Sequence, residues 1–339
     1  MKERKIKQVT TRTQRKVSDL VGVDFSITGT KVVRLKKMKG GRISLVGIDL
    51  LPALDLTASK CSLKLSKQLT THYVNLVYSG KEAVARVLNV PLPAGEEMLS
   101  DEKLRELLNV SEEYRVSAGL LKRESGRKDS MFLAAAIPES IIKTVLSSFE
   151  TGAPALASIE VAGLAFISSF LHAQGDKVKK EAVCIVEYGE STTYFAFLNQ
   201  GMVLLVGRFD FGGAVMRNKI SKDLGVDEDL TKTVIVDRSI DVSSLIMEAM
   251  MPILKQLSIS KDFVERHQSC EISKLYISGG THQLSCWTEE AAKYLQVEVI
   301  PWNPLENIYC AKGVIPESFS DKIASFSVAV GAAIGGLEE

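Results

Sequence analysis

Three short turns built from glycine, serine and threonine follow apolar segments at widely separated points in the chain. They occupy residues 24–31, 187–193 and 278–281. Turns of small residues expose successive backbone N–H groups and let a phosphate approach the main chain closely. One such turn is weak evidence, because a glycine-rich dipeptide is usually an ordinary turn. Three of them, each at the end of an apolar run, predict phosphate binding more strongly.

The first turn holds residue types that suit a phosphate bound with magnesium. Asp24 offers a hard carboxylate oxygen, which Mg²⁺ prefers and often contacts through water. Ser26, Thr28 and Thr30 offer hydroxyl groups. Lys31 adds a positive charge seven residues after Asp24. The alternative is that Asp24 only caps the turn.

A repeated plan positions the first two turns. Residues 21–35 read as an apolar strand that ends in a carboxylate, a small-residue turn and a return strand. Residues 183–198 repeat this order about 160 residues later, with Glu187 as the carboxylate. In both copies a glycine-containing turn and a third apolar run follow. The repeat predicts two related lobes whose hairpins face a common gap.

The remaining elements follow from apolar periodicity and turn residues. Strands are predicted at residues 73–78, 83–90, 131–137, 272–277 and 297–299, with a helix as the alternative at 83–90. Helices are predicted at residues 100–108, 139–150, 159–173, 214–224, 243–260, 285–295 and 325–336. Residues 174–181 are charged and contain Gly175, which predicts a hinge or lobe boundary.

These elements predict an α/β, two-lobed fold with an inserted α+β subdomain. The expected divisions are a basic tail (1–17), the first lobe (18–74 and 151–182), the inserted subdomain (75–150), the second lobe (183–318) and a C-terminal helix that returns to the first lobe (319–339).

Composition indicates an ordinary globular protein. Of the 339 residues, 45% are hydrophobic and 24% are charged, and the net charge of +1 does not predict nucleic-acid binding. Five widely spaced cysteines without a Cys-x-x-Cys motif are typical of a reduced, cytoplasmic protein. His282 and Cys286 are only two potential ligands, too few for a zinc site.

The ends of the chain and its apolar runs predict no membrane span and no secretory signal. The longest uncharged stretches, residues 161–175 and 323–337, are shorter than the roughly 20 apolar residues a span needs. Residues 1–16 carry seven cations against Glu3 and are followed by no apolar stretch. Such a tail is either a solvated terminus or a segment that touches anionic lipid.

The turns, in this order and with the duplicated strands, resemble the actin, Hsp70 and sugar-kinase ATPase superfamily and, within it, the PilM family of type IV pilus assembly proteins. The stretches that carry the resemblance are residues 21–35, 159–164, 187–193, 211–213, 275–281, 301–304 and 326–331. They are spread over nearly the whole chain after residue 18. Each is loose alone, whereas their order and spacing are specific.

The resemblance implies an actin-like (ribonuclease H-like) fold with ATP and Mg²⁺ between the lobes. It implies that Asp24 and Glu187 serve the metal. The implied nucleotide contacts are Ser26, Thr28, Thr30, Lys31, Gly189, Ser191, Thr192, Gly212, Gly213, Gly279, Gly280 and Thr281. Gly279 and Gly280 could equally form a plain turn.

The resemblance also implies partners. Proteins of the PilM family act on the cytoplasmic face of the inner membrane and grip the short cytoplasmic N-terminal peptide of the bitopic protein PilN. A groove between the first lobe and the inserted subdomain is the implied binding place. Other pilus assembly components are expected partners, and nucleic acid is not.

Three positions depart from the superfamily pattern and weaken the case for hydrolysis. Glu187 stands where aspartate is usual, and Ala162 stands where the buried helix often carries an acid. Ala162 cannot activate a water molecule. Thr231 stands near the acid that commonly contacts the ribose. We therefore expect an ATP-binding scaffold with weak or lost hydrolysis. The alternatives are an active ATPase or phosphotransferase, and a nucleotide-free scaffold of a type II secretion or cell-division system.

Overall fold

A computed structural model of the protein describes residues 17–54, 63–91, 98–123, 129–147, 154–237, 240–280 and 285–338. The strands in these ranges are β1 (Asp19–Ser26), β2 (Gly29–Lys37), β3 (Ile43–Leu51), β4 (Tyr73–Tyr78), β5 (Val84–Pro91), β6 (Tyr114–Arg123), β7 (Asp129–Pro138), β8 (Ala155–Val161), β9 (Ala182–Tyr188), β10 (Thr193–Asn199), β11 (Met202–Phe209), β12 (Ile272–Ser278), β13 (Glu298–Pro301) and β14 (Tyr309–Cys310). The helices there are α1 (Asp101–Leu108), α2 (Glu139–Ser147), α3 (Ala162–Val178), α4 (Gly213–Leu224), α5 (Glu228–Asp237), α6 (Ser243–Gln268), α7 (Ser285–Leu295) and α8 (Ser327–Glu338).

Two large sheets repeat one strand order. The first runs β14-β3-β2-β1-β4-β8 and the second runs β11-β10-β9-β12-β13. In the first, β1 pairs antiparallel with β2 and parallel with β4. In the second, β9 pairs antiparallel with β10 and parallel with β12. Apart from β14, the two sheets therefore have the same topology, which confirms the predicted duplication and the actin-like α/β fold.

The central strands and helices form a closely packed core. Every residue of β9 is buried, as the apolar runs on both of its faces predict. Helix α8 packs against α3 and β1. A Cβ atom at Gly331 of α8 would overlap the Ala165 carbonyl of α3, and one at Gly22 of β1 would overlap the Ala329 main chain. Glycine at both positions therefore lets the backbones approach each other.

A small antiparallel sheet in the order β5-β7-β6 carries α1 on one face. The apolar side of α1 buries Leu104 and Leu108. Ser100 caps this helix, because its side chain accepts a hydrogen bond from the Lys103 N–H. The strand predicted at residues 83–90 is confirmed as β5, so the helical alternative is wrong.

Sheet membership bears on where the inserted unit begins. Strand β4 pairs with β1 and β8 in the first large sheet. A subdomain that starts at residue 75 would divide this strand. The pairing favours a start after Tyr78, where the chain leaves the large sheet.

Both predicted ends of the helix α3 are wrong, and of the two interpretations of residues 174–181 the structure contradicts the hinge. Residues 159–161 are the end of β8, where parallel pairing with β4 uses their backbone groups. Helix α3 then continues to Val178, so the hinge predicted at residues 174–181 is mostly helix. Gln174 is buried there and donates a hydrogen bond to Glu306, which explains a polar residue inside the helix. Strands β6 and β8 and helix α5 were not predicted, and α6 extends beyond its predicted end.

Some predictions fall outside the described residues. They include the basic tail up to residue 16, Thr281 and His282. No helix in the ranges given above is both long and apolar enough to span a bilayer.

Candidate functional site

The ends of β1 and β9 open onto one cavity of about 700 Å³ between the two large sheets. This volume lies within the roughly 300–1,000 Å³ typical of ligand pockets. The predicted residues that line it are Asp24, Ser26 and Lys31 from the first lobe and Glu187, Gly189, Ser191 and Thr192 from the second. The structure therefore brings the first two small-residue turns together.

Asp24 is buried and has two described partners. Lys31 lies directly opposite it in the β1–β2 pairing, and its Nζ is 3.3 Å from Asp24 Oδ2. Ser79 Oγ donates a hydrogen bond of 3.0 Å to Asp24 Oδ1. Because the carboxylate is removed from water, these contacts compensate for part of its lost hydration.

Glu187 occupies the equivalent place on β9 and is also buried. Burial raises the pKa of this carboxyl from 4.5 to about 8. The positive charge of Lys31 opposes this change, and the negative charge of Asp24 adds to it. At neutral pH the Glu187 side chain is therefore mostly protonated.

Two further carboxylates at the rim of the cavity are paired. Glu190 forms an ion pair with Arg217 of α4. Asp210 Oδ1 lies 3.1 Å from Arg208 Nε. Both arginines belong to the second lobe, so neither carboxylate depends on the first lobe for its partner.

Two predicted hydroxyl residues are not among the described residues that line the cavity. Thr30 is fully buried, and its Oγ1 donates to the Pro52 carbonyl at 3.1 Å. Thr28 lies exposed in the turn after β1, 3.1 Å from Ser26 Oγ. The hydrogen bond from Thr30 thus ties the start of β2 to the residue that follows β3.

The glycines at the strand ends allow close main-chain packing. Gly279 has a φ of 108°, and a Cβ atom there would overlap the main chain of Tyr188. A Cβ atom at Gly212 would crowd the main chain of Gly189 and Glu190. The Gly213 N–H donates to the Gly189 carbonyl at 3.1 Å. These contacts hold the second turn in place, and none of Gly212, Gly213, Gly279 and Gly280 is among the described lining residues.

Two residues that depart from the superfamily pattern, Ala162 and Thr231, are both buried in helices. Ala162 is fully buried as the first residue of α3. Thr231 is fully buried in α5, and its hydroxyl donates to the Asp227 carbonyl at 2.8 Å. The hydroxyl of Thr231 is therefore used within its own helix.

Sequence analysis missed a loop that joins Asp24 to the second lobe. Ser79, which binds Asp24, accepts a hydrogen bond of 2.9 Å on its carbonyl from the Tyr194 hydroxyl. Arg208 donates to the carbonyls of Gly80, Lys81 and Ala83 at 2.7–3.2 Å. The available signal was Ser79-Gly80, a small-residue pair directly after an apolar strand, as in the other turns.

A second cavity, of about 800 Å³, lies between the first large sheet and the small sheet. Strand β8 borders it on one side and β6 on the other, and each is the outer strand of its sheet. Its lining is mostly apolar, and Leu120 and Leu146 in it are 45% and 49% exposed. We call this cavity the edge groove. Outer strands carry main-chain groups that are free to pair with another extended chain.

The donor set in the first cavity is compatible with magnesium held together with phosphate. Among the described residues, no three His, Cys, Asp or Glu side chains cluster as a metal site. Asp24 and Glu187 offer only two carboxyl groups to a metal ion. Mg²⁺ commonly takes one or two carboxylates and completes its shell with water and phosphate, so the residues fit a metal–nucleotide pair better than a metal alone.

Comparison with solved structures supports the fold. The structure titled PilM–PilN type IV pilus biogenesis complex matches with a TM-score of 0.76 and 17% identity, over 96% of this chain and 100% of that one. The ethanolamine utilization protein EutJ from Carboxydothermus hydrogenoformans matches with a TM-score of 0.44 and 12% identity, over 93% and 88%. The activator of 2-hydroxyisocaproyl-CoA dehydratase from Clostridium difficile, with bound ADPNP, matches with a TM-score of 0.45 and 11% identity, over 94% of each chain. The last two likenesses are too low to support any argument.

The sequence itself identifies the family. No curated protein matches it. The family model described as type IV pilus assembly protein PilM matches residues 122–336, which is more than half of the chain. Because the match covers the whole second lobe, β7 of the small sheet, α3 and nearly all of α8, the chain belongs to the PilM family of type IV pilus assembly proteins.

Proposed function

We propose that this chain is a cytoplasmic scaffold of type IV pilus assembly that binds ATP with Mg²⁺ between its lobes. It hydrolyses ATP weakly or not at all, and it holds the cytoplasmic N-terminal peptide of a PilN-like membrane protein. Through that partner it is attached to the inner-membrane face. The observation that carries the proposal is the shared cavity, in which Asp24 and Glu187 stand at equivalent ends of duplicated strands.

The charge of the cavity favours a nucleotide that arrives with its metal. Asp24, Glu190 and Asp210 are each paired with a cation and Glu187 is mostly protonated, so the lining carries little net charge. Such a lining offsets little of the charge of a bare triphosphate, whereas a magnesium complex carries less negative charge to offset. Asp24, together with Glu187 once it releases its proton, would hold a Mg²⁺ ion that neutralises phosphate oxygens.

Lys31 is placed to respond to this exchange. In the structure it neutralises Asp24. A metal held by Asp24 would take over that neutralisation, and the Lys31 ammonium group, which lines the same cavity, would then be available to a phosphate oxygen. The hydroxyl groups of Ser26, Ser191 and Thr192 stand on the two turns that border the phosphate position.

The described lining offers no free general base for hydrolysis at neutral pH. Asp24, Glu190 and Asp210 are paired with cations. Glu187 is mostly protonated, since burial raises its pKa to about 8. Proton abstraction from water needs an ionised acceptor within hydrogen-bond reach. We therefore expect a turnover well below about 1 per second, at the bottom of the usual enzyme scale. A phosphate-release assay with Mg²⁺ and ATP measures it, and a rate above this value contradicts the scaffold assignment.

The edge groove is the proposed site for the partner peptide. An extended peptide laid between β8 and β6 would pair its main chain with an outer strand, the mode called β-augmentation. Apolar side chains of the peptide would meet Leu120, Leu146 and Ile159. The solved PilM–PilN complex, to which this fold is similar, makes a PilN-like protein the expected source of that peptide.

A binding titration tests this part of the proposal. A labelled peptide with the sequence of the cytoplasmic N-terminus of a PilN-like partner is titrated with the full chain, and anisotropy is followed. Leu120→Lys places a charge in the groove at an exposed position and is expected to weaken binding at least about tenfold. Ile259→Lys, at a 62% exposed position on α6, is the matched control. Equal binding by the two variants, or none by the unchanged chain with and without Mg-ATP, contradicts the proposed groove.

A further inference from the structure

The turn that joins β2 to β3 is strongly basic. Residues 36–42 read Lys-Lys-Met-Lys-Gly-Gly-Arg, and all seven are exposed. The turn is closed by hydrogen bonds from the Met38 N–H to the Arg42 carbonyl and from the Gly41 N–H to the Met38 carbonyl, at 2.8 and 3.1 Å. Four cations are therefore held together on a short, ordered hairpin.

At least two of these cations have no described anionic partner. Lys36 faces Asp19 across the β1–β2 pairing, although Asp19 already accepts hydrogen bonds of 2.8 Å from Nε and Nη2 of Arg34. Lys37 Nζ donates to the Leu337 carbonyl at 3.3 Å. Lys39 and Arg42 form no salt bridge or side-chain hydrogen bond among the described residues. Their charge is available to an external anion.

Exposed apolar side chains lie at the same end of the sheet. Met38, at the centre of the basic turn, is 48% exposed. Tyr309 is 54% exposed and pairs with Ser44, the second residue of β3. Tyrosine and other side chains with an apolar body and a polar end are suited to a membrane–water interface. A lipid surface would engage these two side chains as well as the cations, whereas a purely ionic partner would engage the cations alone.

This end of the first lobe faces away from the nucleotide cavity. Strand β1 begins beside Lys36 and ends at Ser26, which lines that cavity. The Lys37 N–H donates to the Ser18 carbonyl at 2.8 Å, so residues 1–16 join the fold next to the basic turn. Those sixteen residues add seven cations against Glu3.

We infer that the β2–β3 turn, residues 36–42 together with Tyr309, lies directly against the anionic headgroups of a lipid bilayer. The cations attract the headgroups, and Met38 and Tyr309 enter the interface between them. Each Lys or Arg near an anionic surface contributes about 1 kcal/mol, so the contact is weak and sensitive to salt. It is separate from attachment through a partner peptide, because it needs no protein in the membrane.

Vesicle co-sedimentation of the full chain tests the inference. Vesicles of phosphatidylcholine alone are compared with vesicles in which about one third of the lipid is phosphatidylglycerol, a fraction that gives a strongly negative surface. We expect binding to the anionic vesicles only, decreasing as salt is raised. Equal binding to both kinds of vesicle, or none to the anionic ones, overturns the inference.

Substitutions locate the contact. Lys39→Gln with Arg42→Gln removes two cations and is expected to lower the partition coefficient about 30-fold, from about 1 kcal/mol for each. Lys255→Gln with Arg266→Gln, two exposed positions on α6, is the matched control and should bind like the unchanged chain. If the first pair binds as well as the control, the turn is not the contact and residues 1–16 alone explain the binding. That result overturns the inference.

A second pair of variants separates lipid from other polyanions. Met38→Ser with Tyr309→Ser keeps every charge and should weaken vesicle binding severalfold. A single-stranded oligonucleotide is titrated in parallel. If this pair leaves vesicle binding unchanged while the oligonucleotide binds as tightly as the vesicles, the surface recognises phosphate charge in general and the lipid assignment is wrong.

Discussion

The Lys31 ammonium lies 3.3 Å from the Asp24 carboxylate, directly across the β1–β2 hairpin. The two side chains are only 12% and 4% exposed. Sequence analysis assigned Lys31 to phosphate and Asp24 to magnesium, so the structure pairs the two residues that the ligand is expected to separate. The pairing avoids two unpaired charges in a buried site.

Removing Lys31 should destabilise the fold, because it leaves the buried Asp24 carboxylate without its cation. Lys31→Met leaves Asp24 buried with only Ser79 as a described partner. We expect the free energy of unfolding to fall by about 2–4 kcal/mol, in line with a broken buried pair. Urea denaturation measures it. Lys103→Met, which breaks an exposed pair with Glu106, is the control and should change stability by about 0.5 kcal/mol or less. Similar losses in the two variants would contradict a buried role for Lys31.

Glu187 should make the ligand-free protein less stable as pH rises. Burial raises its pKa from 4.5 to about 8, so the folded protein keeps a proton that the unfolded chain releases above 4.5. This contribution to stability is complete below pH 4.5 and is lost as pH rises towards 8. Glu187→Gln mimics the neutral side chain and removes the dependence.

Denaturation of the two proteins between pH 5 and 8 checks the sign. The unchanged chain should lose about 2–4 kcal/mol relative to Glu187→Gln across this interval. The exposed substitution Glu106→Gln serves as the control and should run parallel to the unchanged chain. If the difference between Glu187→Gln and the unchanged chain stays constant with pH, or grows in the other direction, the side chain is not held neutral.

Arg208 should hold the loop after β4 against the second lobe. Its guanidinium donates to three carbonyls of that loop and pairs with Asp210. We expect Arg208→Ala to speed amide exchange of residues 79–83 at least about tenfold and to lower stability by about 1–3 kcal/mol. Arg86→Ala, an exposed position on β5, is the matched control. Unchanged exchange in Arg208→Ala would mean that the loop is held by other contacts.

Two glycines in the central helices should respond in opposite ways to alanine. Gly331→Ala would drive a Cβ atom into the Ala165 carbonyl, and the two helices would have to separate. We expect a loss of roughly 2–4 kcal/mol, since overpacking a core typically costs about 1–3 and here the obstacle is main chain. Gly175→Ala meets nothing within 4 Å and should stabilise α3 by about 0.5–1 kcal/mol. Thermal denaturation compares them, and equal effects would contradict the close packing of α8 on α3.

The duplicated strands could be predicted because their signals are local. A fully apolar run ending in a carboxylate, followed by small residues, occurs twice, and both copies form the expected hairpin. The same local pattern placed Asp24 and Glu187 at one cavity. Thr30 shows the limit of this approach, because its position in the turn did not reveal that Pro52 would take its hydroxyl.

The missed features depend on contacts between distant parts of the chain. Ser79 gains its importance from Tyr194 and Asp24, which are 115 and 55 residues away in sequence. The end of β8 was read as helix because a short apolar run fits either element, and only its pairing with β4 decides. Strand β6 has a mostly exposed pattern without clear alternation, so its sequence carries little signal.

The central claim is that the ends of β1 and β9 together hold one magnesium nucleotide. Calorimetric titration of the full chain with Mg-ATP tests it most directly, in parallel with Asp24→Asn and with Asp210→Asn, a rim carboxylate of the same cavity. We predict one site per chain, an affinity at least about 10–100-fold lower for Asp24→Asn, and an affinity within about threefold of the unchanged chain for Asp210→Asn. No heat with the unchanged chain, or equal affinities for the unchanged chain and Asp24→Asn, would contradict the claim.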